Sequence, residues 1–149
     1  MFINTRPSEN VAVLATLDPA SVAASTVTTG WVNAGLFLHI MALIQTGVLG
    51  ASATVDAKLQ QATDSSGTGA KDVTGKALTQ IVKASGDNKQ AIINLKPQEL
   101  DVSNGFHYVR LSLTVGTAAS LVGAVVVGMI ARYGSCELFN QAATVQVVE

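Results

Sequence analysis

The residue types that could carry chemistry are few and widely spaced. His39 and His107 are the only histidines in the sequence, and Asp101 is the carboxylate that could join them in a metal site. His39 stands in the apolar run 36–44, so we expect a buried histidine with a satisfied hydrogen bond. His107 lies among aromatic residues and is expected at the rim of a sheet. The residue types permit a metal site, but they do not predict one.

Acidic residues offer two further kinds of site. Glu99 and Asp101 flank Leu100, and paired carboxylates are what glycoside hydrolysis requires. Their turn-like surroundings instead indicate solvated polar residues. Asp64 and Asp72 bound a loop of small and turn-forming residues with hard oxygen ligands, which could hold calcium. Hydrogen bonding to the local backbone explains aspartates in such loops equally well.

The remaining motifs that could support catalysis are incomplete. Gly67 and Gly69 lack the lysine and hydroxyl residue that end a phosphate-binding loop, and no serine stands in a nucleophile elbow. Cys136 is the single cysteine and is expected to be a small, inert residue near the C-terminus, with a nucleophile or an interchain disulfide as the alternatives. Trp31 could stack on a sugar, although a sheet-capping role is the expectation. We predict a protein that is not an enzyme and that has no cofactor or metal.

Composition limits the partners. The chain has 149 residues, a net charge of −1 and an isoelectric point near 6.1, so it has no basic field for nucleic acid. Only 13% of the residues are charged, which is about half the usual share. This scarcity indicates a surface largely covered by neighbouring proteins. Because no adequate apolar run follows the first residues, we expect no signal peptide and, by default, synthesis in the cytoplasm.

Two uncharged stretches are long enough to cross a bilayer, which takes roughly 20 residues. The first, 31–52, contains Asn33, His39 and Gln45, which weaken it as a lipid-facing helix. The second, 111–131, opens on strand-like alternation and is interrupted by glycines, which suits two buried strands. We therefore expect no contact with a membrane, and a small membrane protein remains an alternative.

A period of two runs through the chain. Residues 54–60 and 109–115 alternate apolar and polar side chains, as a half-buried strand does, and turn signals recur every few residues. The pattern predicts an all-β, single-domain antiparallel β-sandwich of jelly-roll type with one wet face per sheet. We expect an extended N-terminal arm over 1–10, the sandwich over 11–133, and a C-terminal arm or added strand over 134–149.

Single strands can be placed within this frame. A first strand begins at Val11 and is expected to stop at Asp18 and Pro19, because proline removes a ladder donor. Residues 36–44 predict a central strand buried on both faces, with a short helix as the alternative. Residues 144–148 are apolar enough to add a strand to their own sheet or to the edge of a neighbour.

Three segments together resemble a group of small virion proteins of tailed bacteriophages. They read VDAKLQQATD from Val55, KDVTGKALTQI from Lys71 and YVRLSLTVGT from Tyr108. The group shares a pattern of the type (T/L)DVK(I/L)Q.(S/A)(T/D)D…DVTG.A.TQ(I/V), followed by a strand of the type YVR…TVG. The resemblance covers roughly residues 10–133, and its motifs are strand and turn signatures.

The resemblance implies a β-sandwich structural protein on the capsid surface of a virion, with capsid decoration (cement) as the expected role. Its partners would be the major capsid protein and copies of itself in a trimer. Flexible arms would carry the contacts, and the residues expected to do so are Phe2, Arg6, Phe139, Val145 and Val147. A vertex, head–tail or tail component and a glycan-binding module on the virion remain alternatives.

Overall fold

The computed structural model describes residues 4–148, and almost all regular structure in them is β-strand. Two short helices, α1 (Pro7–Asn10) and α2 (Lys83–Gly86), and four 3₁₀ turns complete the elements. The turns are Ala34–Leu36, Pro97–Glu99, Val102–Asn104 and Cys136–Phe139. The strands are β1 (Val11–Val22), β2 (Ser25–Thr28), β3 (Val32–Asn33), β4 (Phe37–Thr46), β5 (Thr54–Ala62), β6 (Lys71–Ala77), β7 (Ile81–Val82), β8 (Gln90–Leu95), β9 (Tyr108–Gly116) and β10 (Ser120–Ala131).

The strands form two antiparallel sheets. One has four strands in the order β1-β10-β4-β8; the other runs β2-β9-β5-β6, with β3 paired to β9 and β7 paired to β5. The chain thus crosses repeatedly between the sheets, although β2 and β3, and likewise β5 to β7, follow one another within the second sheet, and the first strand pairs with the last. This is the double Greek-key order of a jelly roll. The predicted antiparallel β-sandwich of jelly-roll type is confirmed.

Alternating side chains build the core between the sheets. Val55, Ala57 and Leu59 of β5 and the alternate residues of β9 are buried, as the period of two predicts. Gly128 lets the ring of Phe37 lie against β10, because a Cβ there would approach that ring to 2.7 Å. The two sheets therefore interdigitate closely at this point, as well-packed cores do.

The first strand is longer than predicted. β1 continues through Asp18 and Pro19 to Val22, with a shift in its pairing to β10 between Leu17 and Ala20. Proline is tolerated because β1 lies at the edge of its sheet and the irregularity leaves no ladder bond for its missing N–H. The expected stop at Asp18 was wrong.

The first part of the C-terminal segment is packed on the sandwich. Cys136 is fully buried, and the ring of Phe139 lies edge-on to Phe37 with 5.4 Å between centroids. The backbone N–H of Gln141 donates to the carbonyl of Val13 at 2.7 Å. Residues 136–141 are thus part of the sandwich rather than an extended arm, and residues 142–148 form no strand.

The described part of the N-terminal arm is also folded. α1 lies beside the 3₁₀ turn Cys136–Phe139, and the Ser8 hydroxyl donates to Glu137 Oε1 at 2.5 Å. The two terminal segments therefore pack together at the start of β1. Among residues 4–148, none of the helices has the length and apolar character needed to span a membrane.

Candidate functional site

The two histidines lie apart, and both are exposed. His39 is on the outer side of β4, and His107 precedes β9 in the other sheet. The expectation of a buried His39 was wrong, because the strand that carries it is half-exposed on its outer side. Within residues 4–148, no three metal-ligating side chains come together.

Each of the two paired carboxylates forms an ion pair with a lysine. Glu99 accepts the backbone N–H of Lys96 at 2.7 Å and pairs with Lys76 at 2.9 Å, and these contacts hold its pKa below the usual value. Lys71, at 2.5 Å, and then Asn104 lower the pKa of Asp101. A general acid needs a raised pKa. Both carboxyls of this pair have lowered pKa values, whereas the general acid of a glycoside hydrolase has a raised pKa.

The aspartates considered for calcium serve the local structure. Asp64 caps its own loop, accepting the N–H groups of Ser66 and Thr68 at 2.9 and 3.1 Å. Hydrogen bonding by Thr68 lowers its pKa most. Asp72 instead bonds Lys58 on β5 at 2.7 Å. The two carboxylates therefore do not converge on a common ligand.

The aromatic and thiol candidates differ in accessibility. Trp31 is half-buried, with the guanidinium of Arg110 over its ring at 4.5 Å and the Gly67 loop against its edge. Its ring is thus covered on one face, as a sheet-capping role requires. Tyr133 is 74% exposed. The Cys136 thiol is buried and accepts the backbone N–H of Ala131 at 3.2 Å.

The outer face of the six-stranded sheet carries polar side chains, most of them in small hydrogen-bonded groups, and we call it the polar face. Its residues are Thr26, Asp56, Lys58, Gln60, Asp72, Gln80, Arg110, Ser112 and Thr114. Asp72 accepts from Lys58 and from Gln60, and Gln60 in turn accepts from Arg110. The charged side chains of this face find partners within the chain, which makes it the wet face predicted for a sheet.

The outer face of the four-stranded sheet has the opposite character. Antiparallel register places nine apolar side chains on it, which define the apolar face: Val11, Val13, Met41, Leu43, Ile92, Leu121, Val125, Val127 and Met129. Polar neighbours in the same rows include the uncharged Thr16, Gln45 and Asn94, and also His39, which lies opposite Met129. Ile92 and Leu121 are 53% and 47% exposed. The prediction of a wet face on each sheet was wrong for this one.

A groove of about 480 Å³ opens at one end of the apolar face. Leu43, Leu121 and Val125 line it, and the irregular segment of β1 around Asp18 forms one wall. Gly123 permits this wall, because a Cβ there would meet Pro19 at 3.2 Å. The missing side chain and the bend of β1 together produce a depression in an otherwise flat sheet.

The residues expected to make protein contacts lie in different settings. Phe2 falls outside the described residues. Arg6 caps α1, where its backbone N–H donates to Glu9 at 2.7 Å. Phe139 is engaged within the chain by Phe37, whereas Val145 and Val147 are 95% and 42% exposed.

Sequence reasoning missed the apolar face. Its signal was present in the runs 37–44 and 121–130, which are apolar without alternation. Such runs are typical of strands that are covered on both sides. We expected elements of this chain to cover both sides of these strands, whereas no element among residues 4–148 covers their outer side.

No protein-family model matches the chain, and no curated protein sequence matches it. Among solved structures, it is similar to a protein of Bacillus endospore appendages, with 15% identity over 88% of this chain and 100% of that chain and a TM-score of 0.37. The SPBc2 prophage-derived protein YomS is 12% identical over 85% of this chain and 99% of that one, with a TM-score of 0.42. A chain of infectious bursal disease virus, strain Gx, is 13% identical over 85% of this chain and 34% of that one, with a TM-score of 0.47. The jelly-roll assignment is made from the strand order of this chain.

Proposed function

We propose that this protein is a non-enzymatic structural component of a tailed-phage virion that acts through protein–protein contact. The observation that carries the proposal is the apolar face, whose paired strand residues present exposed aliphatic side chains and include no lysine, arginine, aspartate or glutamate. Asp18 stands in the wall of the groove at one end of this face. Large exposed apolar patches mark interaction surfaces. The resemblance of three segments to phage virion proteins directs the proposal to a virion.

Within the virion, we place the protein on the capsid surface as a decoration protein. Its partners are the major capsid protein and copies of itself in a trimer. A decoration protein holds a shell through many identical contacts, and their multiplicity makes modest single affinities sufficient. An apolar face and an exposed C-terminal end suit such contacts, and neither requires a preorganised catalytic site.

Quantitative mass spectrometry of gradient-purified particles tests this proposal. The number of copies relative to the major capsid protein is the readout. Hundreds of copies per particle, as repetition over a shell requires, would support decoration. A few dozen or fewer would move the protein to a vertex, neck or tail, and absence from particles would refute the virion assignment.

A second measurement tests the glycan-binding alternative, which exposure of Tyr133 keeps open. Purified protein is passed over a glycan array beside a Tyr133→Ala variant. Binding that disappears in the variant would support a carbohydrate-binding role. No binding by either protein would leave protein–protein contact as the function.

A further inference from the structure

The C-terminal end supplies a second uncharged apolar surface. Residues 144–148, which we call the tail, read Thr-Val-Gln-Val-Val. Val145 and Val148 are 95% and 82% exposed. Their burial would be favourable, because apolar surface removed from water stabilises a complex. Nothing in residues 4–141 covers them.

The backbone of the tail is also available for pairing. Gln141 is hydrogen bonded to β1, and Thr144 donates to Gln141 in a turn. After that turn the tail belongs to no strand or helix. A short extended segment with alternate valines is the form that binds along a groove or sheet edge of another molecule.

The groove on the apolar face matches the tail in character. Aliphatic side chains line it, and the tail is not among the lining residues. Asp18 is the charged residue that lines it, so an uncharged segment enters without burying a second charge. Tail and groove are thus two exposed apolar surfaces of one chain, and the charges beside them are Asp18 in the groove wall and Glu149, which follows the tail in the sequence.

The available area suits contact between copies. Four strands about 4.8 Å apart and eight residue steps of about 3.4 Å give the apolar face roughly 500 Å². A five-residue tail covers only the groove end of that area, so the total of about 1,000 Å² that a specific interface needs is reached when the partner's sandwich covers the rest of the apolar face as well. A neutral face also meets another copy without like-charge repulsion.

We propose that the tail of one copy lies in the groove of a second copy, so that the partner of the apolar face is this same chain. A contact between two different surfaces runs head to tail and can close into a ring. The inference rests on the proposed function, since it names the partner of the same surface. Its test uses purified full-length protein and is therefore independent of particle composition.

Cysteine cross-linking tests the contact directly. Full-length Val147→Cys and Leu43→Cys proteins are mixed and oxidised, and linked peptides are identified by mass spectrometry. The native thiol does not interfere, because Cys136 is buried. We expect a disulfide between the two different proteins. The matched control replaces Leu43→Cys with Thr114→Cys on the polar face, where no such link should form.

Two outcomes of this experiment would overturn the inference. One is that a disulfide between residues 147 and 43 forms no more readily than a disulfide between residue 147 and the Thr114→Cys control. The other appears when both cysteines are placed in one chain: a purely internal disulfide in a monomer would show that the tail covers its own groove.

Self-association gives a second readout. In sedimentation equilibrium, the double variant Val145→Asp/Val147→Asp should associate roughly 100-fold more weakly than the unmodified chain, since two buried valines are replaced by charges. The double variant Ala142→Asp/Ala143→Asp, which adds the same charge before the tail, should change association far less. Equal effects of the two variants, or a monomeric unmodified chain, would refute the contact.

Discussion

The outer faces of the two sheets share one backbone geometry but present opposite surfaces. On the polar face, Lys58, Asp72 and Arg110 are held by partners within the chain. On the apolar face, Val125, Val127 and their neighbours contact solvent. A surface whose charges are already satisfied gains little from another protein, whereas exposed aliphatic groups gain from burial. Under the proposed function, the four-stranded sheet is therefore the one that a neighbouring protein covers.

The largest effect is expected from removing residues 134–149. That truncation removes buried Cys136 and the ring of Phe139 against Phe37, so unfolding should become easier by about 4 kcal/mol. Removing only residues 144–149 should leave the free energy of unfolding within about 0.5 kcal/mol, because the tail is exposed. Chemical denaturation of both proteins checks this. Equal stability of the two truncations would contradict the packing of residues 136–141 on the sandwich.

A charge introduced on each face tests most directly whether only the apolar face takes part in self-association. Val127→Lys lies at the centre of the apolar face, and Thr114→Lys is its counterpart on the polar face, opposite Asp56. Burying a lysine in an apolar contact should weaken self-association by roughly 100-fold, about 2.7 kcal/mol. Thr114→Lys should leave association unchanged. Light scattering over a dilution series measures both variants, and a similar loss in both would show that the polar face is also an interface.

Acid distinguishes the apolar face from the carboxyls that stabilise the fold, of which Asp72 lies on the polar face and the other four lie in loops and turns. Hydrogen bonds and lysine partners lower the pKa of five carboxyls: Asp64, Asp72, Asp87, Glu99 and Asp101. A carboxyl whose pKa is lower in the folded state than in the unfolded state stabilises the fold at a pH above its unfolded-state pKa of about 4. This stabilisation is lost as the pH falls through the folded-state pKa. The melting temperature should therefore be level at neutral pH and fall below about pH 4.

Calorimetry from pH 7 to pH 2 measures this decline. The Asp72→Asn/Asp101→Asn variant should lose less stability between pH 4 and pH 2, because two of the contributing carboxyls are gone. Self-association through the apolar face should not follow the same titration down to the pH at which the fold is lost. An unaltered slope in the variant would show that other groups control the acid response.

The fold was predictable from sequence where side chains alternate. β5 and β9 have polar residues at every second position, so their orientation and the wet face above them follow directly. These elements are determined by local pattern, which a single sequence contains.

The apolar face could not be predicted, because it depends on which elements of the fold pack against each side of the four-stranded sheet. The runs in β4 and β10 indicate cover on both sides, and only the strand order shows that no element crosses the outer side. Val127 and Leu43 therefore looked like core residues. Conversely, Phe139 looked like part of a free arm, because its contact with Phe37 joins residues far apart in sequence.

The smallest effect tests whether the polar face is as self-contained as its contacts indicate. Lys58 and Asp72 are 2.7 Å apart, with side chains 42% and 54% exposed. Exposed pairs contribute little, so a double-mutant cycle with Lys58→Ala and Asp72→Ala should give a coupling of about 0.5 kcal/mol that decreases as salt is added. Neither replacement should change self-association, because both groups act within one chain. A coupling that grows with protein concentration would instead place this pair in a contact between molecules, and the contrast between the two faces would fail.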